Sequence, residues 1–304
     1  MNIVFDIYKS YFTMKHIKIF IDLTRLNKPI GFMLLFWPCS WGLALAYYYD
    51  QNLNFFLQNF ILFFLGAVMM RSAGCIFNDI VDKDLDKKVL RTKNRPIASK
   101  KISIKKSLFY VLVLCLFSFS ILIQFNKLTI FLGLGSMFLA FAYPFMKRIT
   151  YWPQLFLGLT FNWGIIMAWT SIMNSISVEI LVLYLAAIFW TLGYDTIYGV
   201  QDIEDDEIIG IKSTSIKFKK KIKPFVTLCY LLTTFLSASL FLDKMNLFLG
   251  LSLFLIFVFS LFYQINIFKT KSPKSCLKAF KSNNFSGLML FLAFFMLSIN
   301  LGLQ

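Results

Sequence analysis

NDIVDKDLDKKVLRTKNRP, residues 78–96, sets four aspartates and six Lys/Arg side by side immediately after a long apolar run. The surrounding chain explains the contrast. Of its 304 residues 58% are apolar and 18% aromatic, with 37 Phe, whereas an ordinary soluble domain is about 45–50% apolar. The apolar residues fall into nine blocks, at 30–48, 56–78, 106–124, 128–146, 154–172, 178–201, 225–242, 246–267 and 284–302. Each has the length that crosses about 30 Å of hydrocarbon. Unbroken runs without period-two alternation predict helices rather than barrel strands. The expected class is all-α, a polytopic membrane protein of about nine helices, and residues 78–96 are where the second helix leaves the bilayer.

The net charge of +16 would suggest nucleic acid if it were spread evenly, but it is not. Twenty-eight of the 31 Lys/Arg fall in residues 1–29, 83–106, 147–148, 212–223 and 269–281. The alternate connections hold only Lys127 and Lys244, and Arg71 lies inside a span. This positive-inside pattern places the N-terminus and the loops after spans two, four, six and eight in the cytoplasm, and excludes a nucleic-acid partner as the cause of the charge. Residues 1–29, interrupted by Asp6 and Asp22, are expected to form an amphipathic segment on the bilayer surface, ahead of a single integral-membrane domain within 1–304. No Arg-rich transit peptide precedes the first span, which favours a bacterial inner membrane. The five cysteines have no paired spacing, and His16 is the single histidine, so disulfide frameworks and His-based sites are excluded.

Ten of the fifteen acidic residues sit in two clusters. NDIVDKDLD, followed by RPIASKKISIKK, parallels QDIEDDEIIG, followed by IKSTSIKFKKK. Each cluster closes an even-numbered span, two or six, and four spans separate them. Two four-helix repeats plus a ninth helix are expected, with both clusters at the cytoplasmic level. On a helix Asn78, Asp82 and Asp86 fall within an arc of about 80°, and Arg71 and Cys75 lie in the same arc. Asp195, Tyr198, Asp202 and Asp206 also span about 80°. Asp84, Glu204, Asp205 and Glu207 lie off these stripes and read as solvated loop acids. An acidic residue beside a span is costly and marks a cavity. Two facing carboxylate stripes repel unless a cation lies between them. Oxygen ligands without His or Cys point to Mg²⁺, with Arg91, Lys93, Arg95, Lys147 and Arg148 placed to bind the remaining oxygens of a diphosphate.

At these residues the sequence resembles the UbiA superfamily of intramembrane prenyltransferases. Its first motif, N-D-x-x-D-x-x-x-D, is met by Asn78, Asp79, Asp82 and Asp86. Its second, D-x-x-Y-x-x-x-D-x-x-x-D, is met by Asp195, Tyr198, Asp202 and Asp206. RLNKPIGFMLLFWPCSWGL (25–43), RSAGCIFNDIVD (71–82), RTKNRPIAS (91–99), AYPFMKR (142–148) and YDTIYGVQDIEDDEIIGIKSTSI (194–216) are similar to one branch, the 4-hydroxybenzoate polyprenyltransferases of ubiquinone synthesis. Departures are confined to flanking positions such as Gly199 and Gln201. The resemblance implies a central cavity open to lipid and Mg²⁺-dependent transfer of a prenyl chain from polyprenyl diphosphate to the ring of an aromatic acid. It further implies that Asn78, Asp82, Asp86, Asp202 and Asp206 hold metal and diphosphate, that Lys147 and Arg148 form a basic pair beside them, and that Asp79 and Asp195 support the motifs.

For that chemistry the acceptor carboxylate needs a cation away from the diphosphate. Arg71, about 10 Å deeper than Asn78, and Arg25, at the mouth of the first span, are the two candidates. Tyr198 and Tyr143 are candidates to shield the allylic cation or to contact a hydroxyl. Two alternatives remain at this stage: a prenyltransferase of the same superfamily with another acceptor, and a divalent-cation transporter, which also uses membrane carboxylates.

Overall fold

The computed structural model describes residues 16–241, 244 and 248–299. Among these, all regular structure is helical. Nine helices are long and apolar enough to cross a membrane: α1 (Ile30–Asp50), α2 (Leu53–Val81), α3 (Ile104–Leu122), α4 (Lys127–Ile149), α5 (Pro153–Met173), α6 (Val178–Gly199), α7 (Ile222–Ser239), α8 (Phe248–Ile267) and α9 (Pro273–Ser298). Residues 1–15 of the expected surface segment lie outside the described residues, as do 242, 246–247 and 300–302 at the edges of the last three expected spans.

Polar residues at the ends of the apolar runs start the helices. Asn52, Ser103, Asn126, Ser177 and Ser272 each accept a hydrogen bond from the backbone N–H three residues on, a cap that contributes ~1 kcal/mol. α9 begins eleven residues before its apolar run, because hydropathy reads only the portion within lipid. Its first turns project Lys274, Lys278 and Lys281 beyond that run.

The repeat expected from the acidic clusters is present in the packing. In the first half α1 packs on α2 and α2 on α3; in the second α5 packs on α6 and α6 on α7. Local geometry repeats too. α1 and α5 both end on a left-handed residue, Gln51 (φ 55) and Asn174 (φ 52). α1 packs against α5 between the halves, and α9 closes the bundle against α8, α1 and α6. α1 and α5 come close at Gly42, where a Cβ would meet the Ile165 carbonyl oxygen at 2.5 Å; small residues permit such backbone approach between membrane helices.

α1 and α6 form the centre. Trp41 and Trp190 are fully buried with ring centroids 4.8 Å apart, and Trp41 Nε1 donates to the Gly287 carbonyl at 2.8 Å. A buried polar network ties α7, α8 and α9 together: the Tyr230 hydroxyl donates to Gln264 Oε1 (2.6 Å), and Gln264 Nε2 donates to Asn283 Oδ1 (3.1 Å) and Ser286 Oγ (3.0 Å). The outward faces carry exposed aromatics such as Phe131, Phe138 and Phe235, which suits contact with lipid. The chain is a multi-pass membrane protein.

Candidate active site

Residues 16–24 form a short helix that packs Leu23 against Ala73, Ile76, Ile97 and Val111. The chain then turns through Arg25, whose φ of 57° is left-handed, into α1. The turn aims the Arg25 guanidinium at Asp79, Nη2 to Oδ1 2.6 Å. Arg95, from the basic segment after α2, reaches the same oxygen at 3.1 Å and both oxygens of Asp86 at 3.0 and 2.9 Å. Asp79 is 1% exposed, and its Oδ2 has no hydrogen-bond partner among the described residues.

α2 ends at Val81, and a one-turn helix, Lys83–Asp86, continues it after Asp82. The stripe therefore survives the end of the span. Asn78, Asp79, Asp82 and Asp86 all line one cavity of about 1430 Å³. Lys147 Nζ donates to Asp82 Oδ2. Arg148 Nη2 donates to the Val81 carbonyl at 2.8 Å and approaches Asp82 Oδ1 at 3.5 Å. Burial pushes the Asp86 carboxyl above its ordinary value, against the pull of Arg95, with Asp79 and Asp82 adding to the rise. Off the stripe, exposed Asp84 bonds Lys87 at 2.8 Å, which holds its carboxyl below the usual value.

The second stripe is less regular than its spacing suggests. α6 stops at Gly199, a 3₁₀ turn covers Val200–Asp202, and a helix resumes over Ile203–Ile209. The backbone remains near helical values, so Asp195, Tyr198, Asp202 and Asp206 still face the same cavity. Arg91 forks onto Asp202, Nε to Oδ1 2.9 Å and Nη2 to Oδ2 2.7 Å, and donates to the Tyr198 hydroxyl at 3.1 Å. The Lys212 N–H donates to the Lys147 carbonyl at 2.9 Å, tying the loop after the second stripe to the basic pair.

Arg71 and Tyr143 line the deeper cavity. Arg71 makes no ion pair among the described residues; its Cζ lies 5.3 Å over the Phe161 ring. Arg25, the competing cation, is engaged with Asp79. Lys93 is exposed and lies off the cavity wall, whereas Arg91, Arg95 and Lys147 are on it. Phe161 and Lys281 also face the cavity. Spacing gave no signal for Phe161, one of 37 Phe; Lys281 stood out only as part of a basic run.

Asn78, Asp82, Asp86, Asp202 and Asp206 supply hard oxygens from two chain segments on one cavity, a donor set that fits Mg²⁺. Among the described residues no three His, Cys, Asp or Glu side chains gather closely enough to hold an ion by themselves. Bound phosphate oxygens would complete such a shell.

Among the described residues, nine membrane-length helices surround a cavity that carries carboxylates and bases, the architecture of a multi-pass membrane protein with a polar site. The UbiA prenyltransferase family pattern matches residues 35–299, and the chain belongs to that family. It is 37% identical over 288 residues to the 4-hydroxybenzoate octaprenyltransferase of Psychromonas ingrahamii, covering 94% of this chain and 99% of that one. In fold it is similar to a UbiA homologue from Aeropyrum pernix K1 (TM-score 0.73, 20% identity, covering 86% of this chain and 96% of that one). It is also similar to a UbiA homologue from Archaeoglobus fulgidus bound to GPP and Mg²⁺ (TM-score 0.67, 18% identity, 92% and 99% covered).

Proposed function

We propose that this protein transfers a polyprenyl chain from polyprenyl diphosphate to the ring of 4-hydroxybenzoate, at the 3-position, in ubiquinone biosynthesis. It acts as a single integral-membrane domain of the bacterial inner membrane, with the site facing the cytoplasm. The observation that carries the reading is the convergence on one cavity of both carboxylate stripes and of Arg71, which makes no ion pair among the described residues. The names of its relatives support the acceptor and the donor.

Asn78, Asp82, Asp86, Asp202 and Asp206 would hold Mg²⁺ together with the diphosphate. Bound there, Mg²⁺ supplies Lewis-acid stabilisation of the diphosphate as it leaves. Lys147, Arg91 and Arg95, which now neutralise Asp82, Asp202 and Asp86, turn to the diphosphate oxygens, with Arg148 beside them, so positive charge is already fixed where negative charge develops; Lys93, off the cavity wall, adds only to the basic mouth. The allylic C–O bond breaks with its electron pair on the diphosphate. The ring carbon ortho to the acceptor hydroxyl forms the new C–C bond, and a site carboxylate takes the displaced ring proton. Tyr143 and Tyr198 face the cavity where the allylic cation must be kept from water. Arg71 holds the acceptor carboxylate deeper in the cavity; Arg25 is already committed to Asp79, and Asp195 supports the floor of the site.

Incubating membranes with radiolabelled 4-hydroxybenzoate and a ladder of prenyl diphosphates tests this directly. Labelled, lipid-soluble product and released diphosphate should appear together. Mg²⁺ uptake into vesicles without any prenylated product would instead favour a divalent-cation transporter. Product from another aromatic acceptor alone would move the protein to a different substrate.

A further inference from the structure

Arg25, Arg91, Arg95, Lys147 and Arg148 each face a carboxylate. Arg71 does not. It lines the cavity from α2, yet among the described residues it makes no hydrogen bond or ion pair, and its Nε is buried without a partner. A half-buried guanidinium whose N–H groups have no hydrogen-bond partner is costly, so its surroundings must tolerate it. Two do. Phe161 on α5 presents its ring face to the guanidinium, 5.3 Å from centroid to Cζ. Gly31 on α1 leaves the space the group occupies: a Cβ there would lie 3.1 Å from Nε, 3.6 Å from Nη2 and 3.7 Å from Cζ. The guanidinium is thus packed between three helices by contacts that use none of its N–H donors.

Resting on the reading that Arg71 takes the acceptor carboxylate, we propose that Gly31 and Phe161 are positioning residues that hold its guanidinium ready and unpaired, and that this arrangement selects an anionic aryl carboxylate over a neutral phenol. A ring face attracts the cation without consuming donors. A carboxylate partner in the same place would occupy them, as Asp79 occupies Nη2 of Arg25. The absent Cβ at Gly31 lets the group lie against the α1 backbone; a methyl there, 3.1 Å from Nε, forces the guanidinium to shift from this position. A neutral phenol leaves the charge uncompensated, and a site built for a polar partner rejects an analogue that lacks it.

The test uses the full-length protein in nanodiscs, measuring KM and kcat for 4-hydroxybenzoate, KM for prenyl diphosphate, and inhibition by benzoate and by phenol. Phe161→Leu removes the ring face and should raise KM for the acid roughly five- to thirty-fold, the equivalent of a desolvated cation–π contact. kcat and the prenyl diphosphate KM should stay near wild type. Phe161→Tyr keeps a ring face and should restore the low KM. Gly31→Ala should raise the acid KM several-fold without weakening the helix, since alanine is the better helix former. Benzoate inhibition should weaken in parallel and phenol inhibition should not. Arg71→Ala runs beside them. If it raises the acid KM while Phe161→Leu and Gly31→Ala leave it unchanged, the positioning claim is overturned and the role of Arg71 stands. If Arg71→Ala itself leaves acid KM and benzoate inhibition unchanged, the underlying reading of Arg71 fails. A fall in kcat at constant KM in Phe161→Leu also overturns the proposal, since that is the mark of a general structural role.

Discussion

Arg91 and Asp202, 111 positions apart in the chain, form a two-pronged ion pair of 2.9 and 2.7 Å. A base that follows the first aspartate motif thereby neutralises an acid of the second. Lys147 does the same for Asp82 from a third segment. Asp79, Asp82, Asp86 and Asp202 are therefore already paired with cations that a diphosphate can draw away, and each motif depends on residues outside it.

That interdependence predicts non-additive kinetics. Asp82→Asn and Asp202→Asn should each lower turnover at least ~1000-fold, and the double variant should be little worse than either, as for residues acting as a unit. Asp84→Asn, at an exposed residue bonded among the described residues to Lys87 alone, should keep most of its activity. An inactive Asp84→Asn beside an active Asp82→Asn would falsify the assignment of the stripes.

Asp79 has a different role to test. Its buried carboxylate compensates Arg25 and Arg95 at once. Asp79→Ala leaves the Arg25 guanidinium without its counter-charge and Arg95 with Asp86 alone, and should cost ~3 kcal/mol of stability, the scale seen when one partner of a buried pair is removed. Thermal unfolding in detergent should show a clear drop for Asp79→Ala and almost none for Asp84→Ala; equal drops would contradict the role.

Metal removal separates chemistry from fold. Chelation by EDTA should stop product formation, and Mg²⁺ should restore it. The helical circular dichroism signal should not change, because the bundle rests on helix packing such as Trp41 against Trp190 and not on the acidic end. Full activity after exhaustive chelation would sink the proposed metal role.

Topology follows from charge. Single cysteines placed at Lys93 and Lys219, in a cysteine-free background, should resist an impermeant maleimide added outside intact cells. One placed at Gln51, at the opposite end of α1, should react. Labelling of the Lys93 or Lys219 positions from outside would invert the orientation.

Much of this architecture is local and could be read locally. Span positions are sums of transfer free energies over about twenty residues, so nine apolar runs become nine helices whatever their neighbours. The spacing of Asn78, Asp82 and Asp86 sets a common face before any partner is known, and that face persists across the break after Val81. The same holds for Asp195 to Asp206, although the 3₁₀ turn at Val200–Asp202 leaves no mark in the spacing.

Partner choice was decided only in three dimensions. Hydropathy cannot say where α9 begins, because its first turns lie outside the apolar run and polar residues are helical there as readily as not. Arg25 and Arg71 look alike as cations near the first two spans. The left-handed turn at Arg25 commits one to Asp79, while Gly31 of α1 and Phe161 of α5 pack against the other, which makes no ion pair among the described residues. Lys93 sits between Arg91 and Arg95 in sequence, yet the turns of the segment bring its neighbours to the cavity and leave it exposed. Periodicity within one helix is dictated by its own backbone geometry. Which charges meet depends on how separate helices pack, and that is a property of the whole bundle.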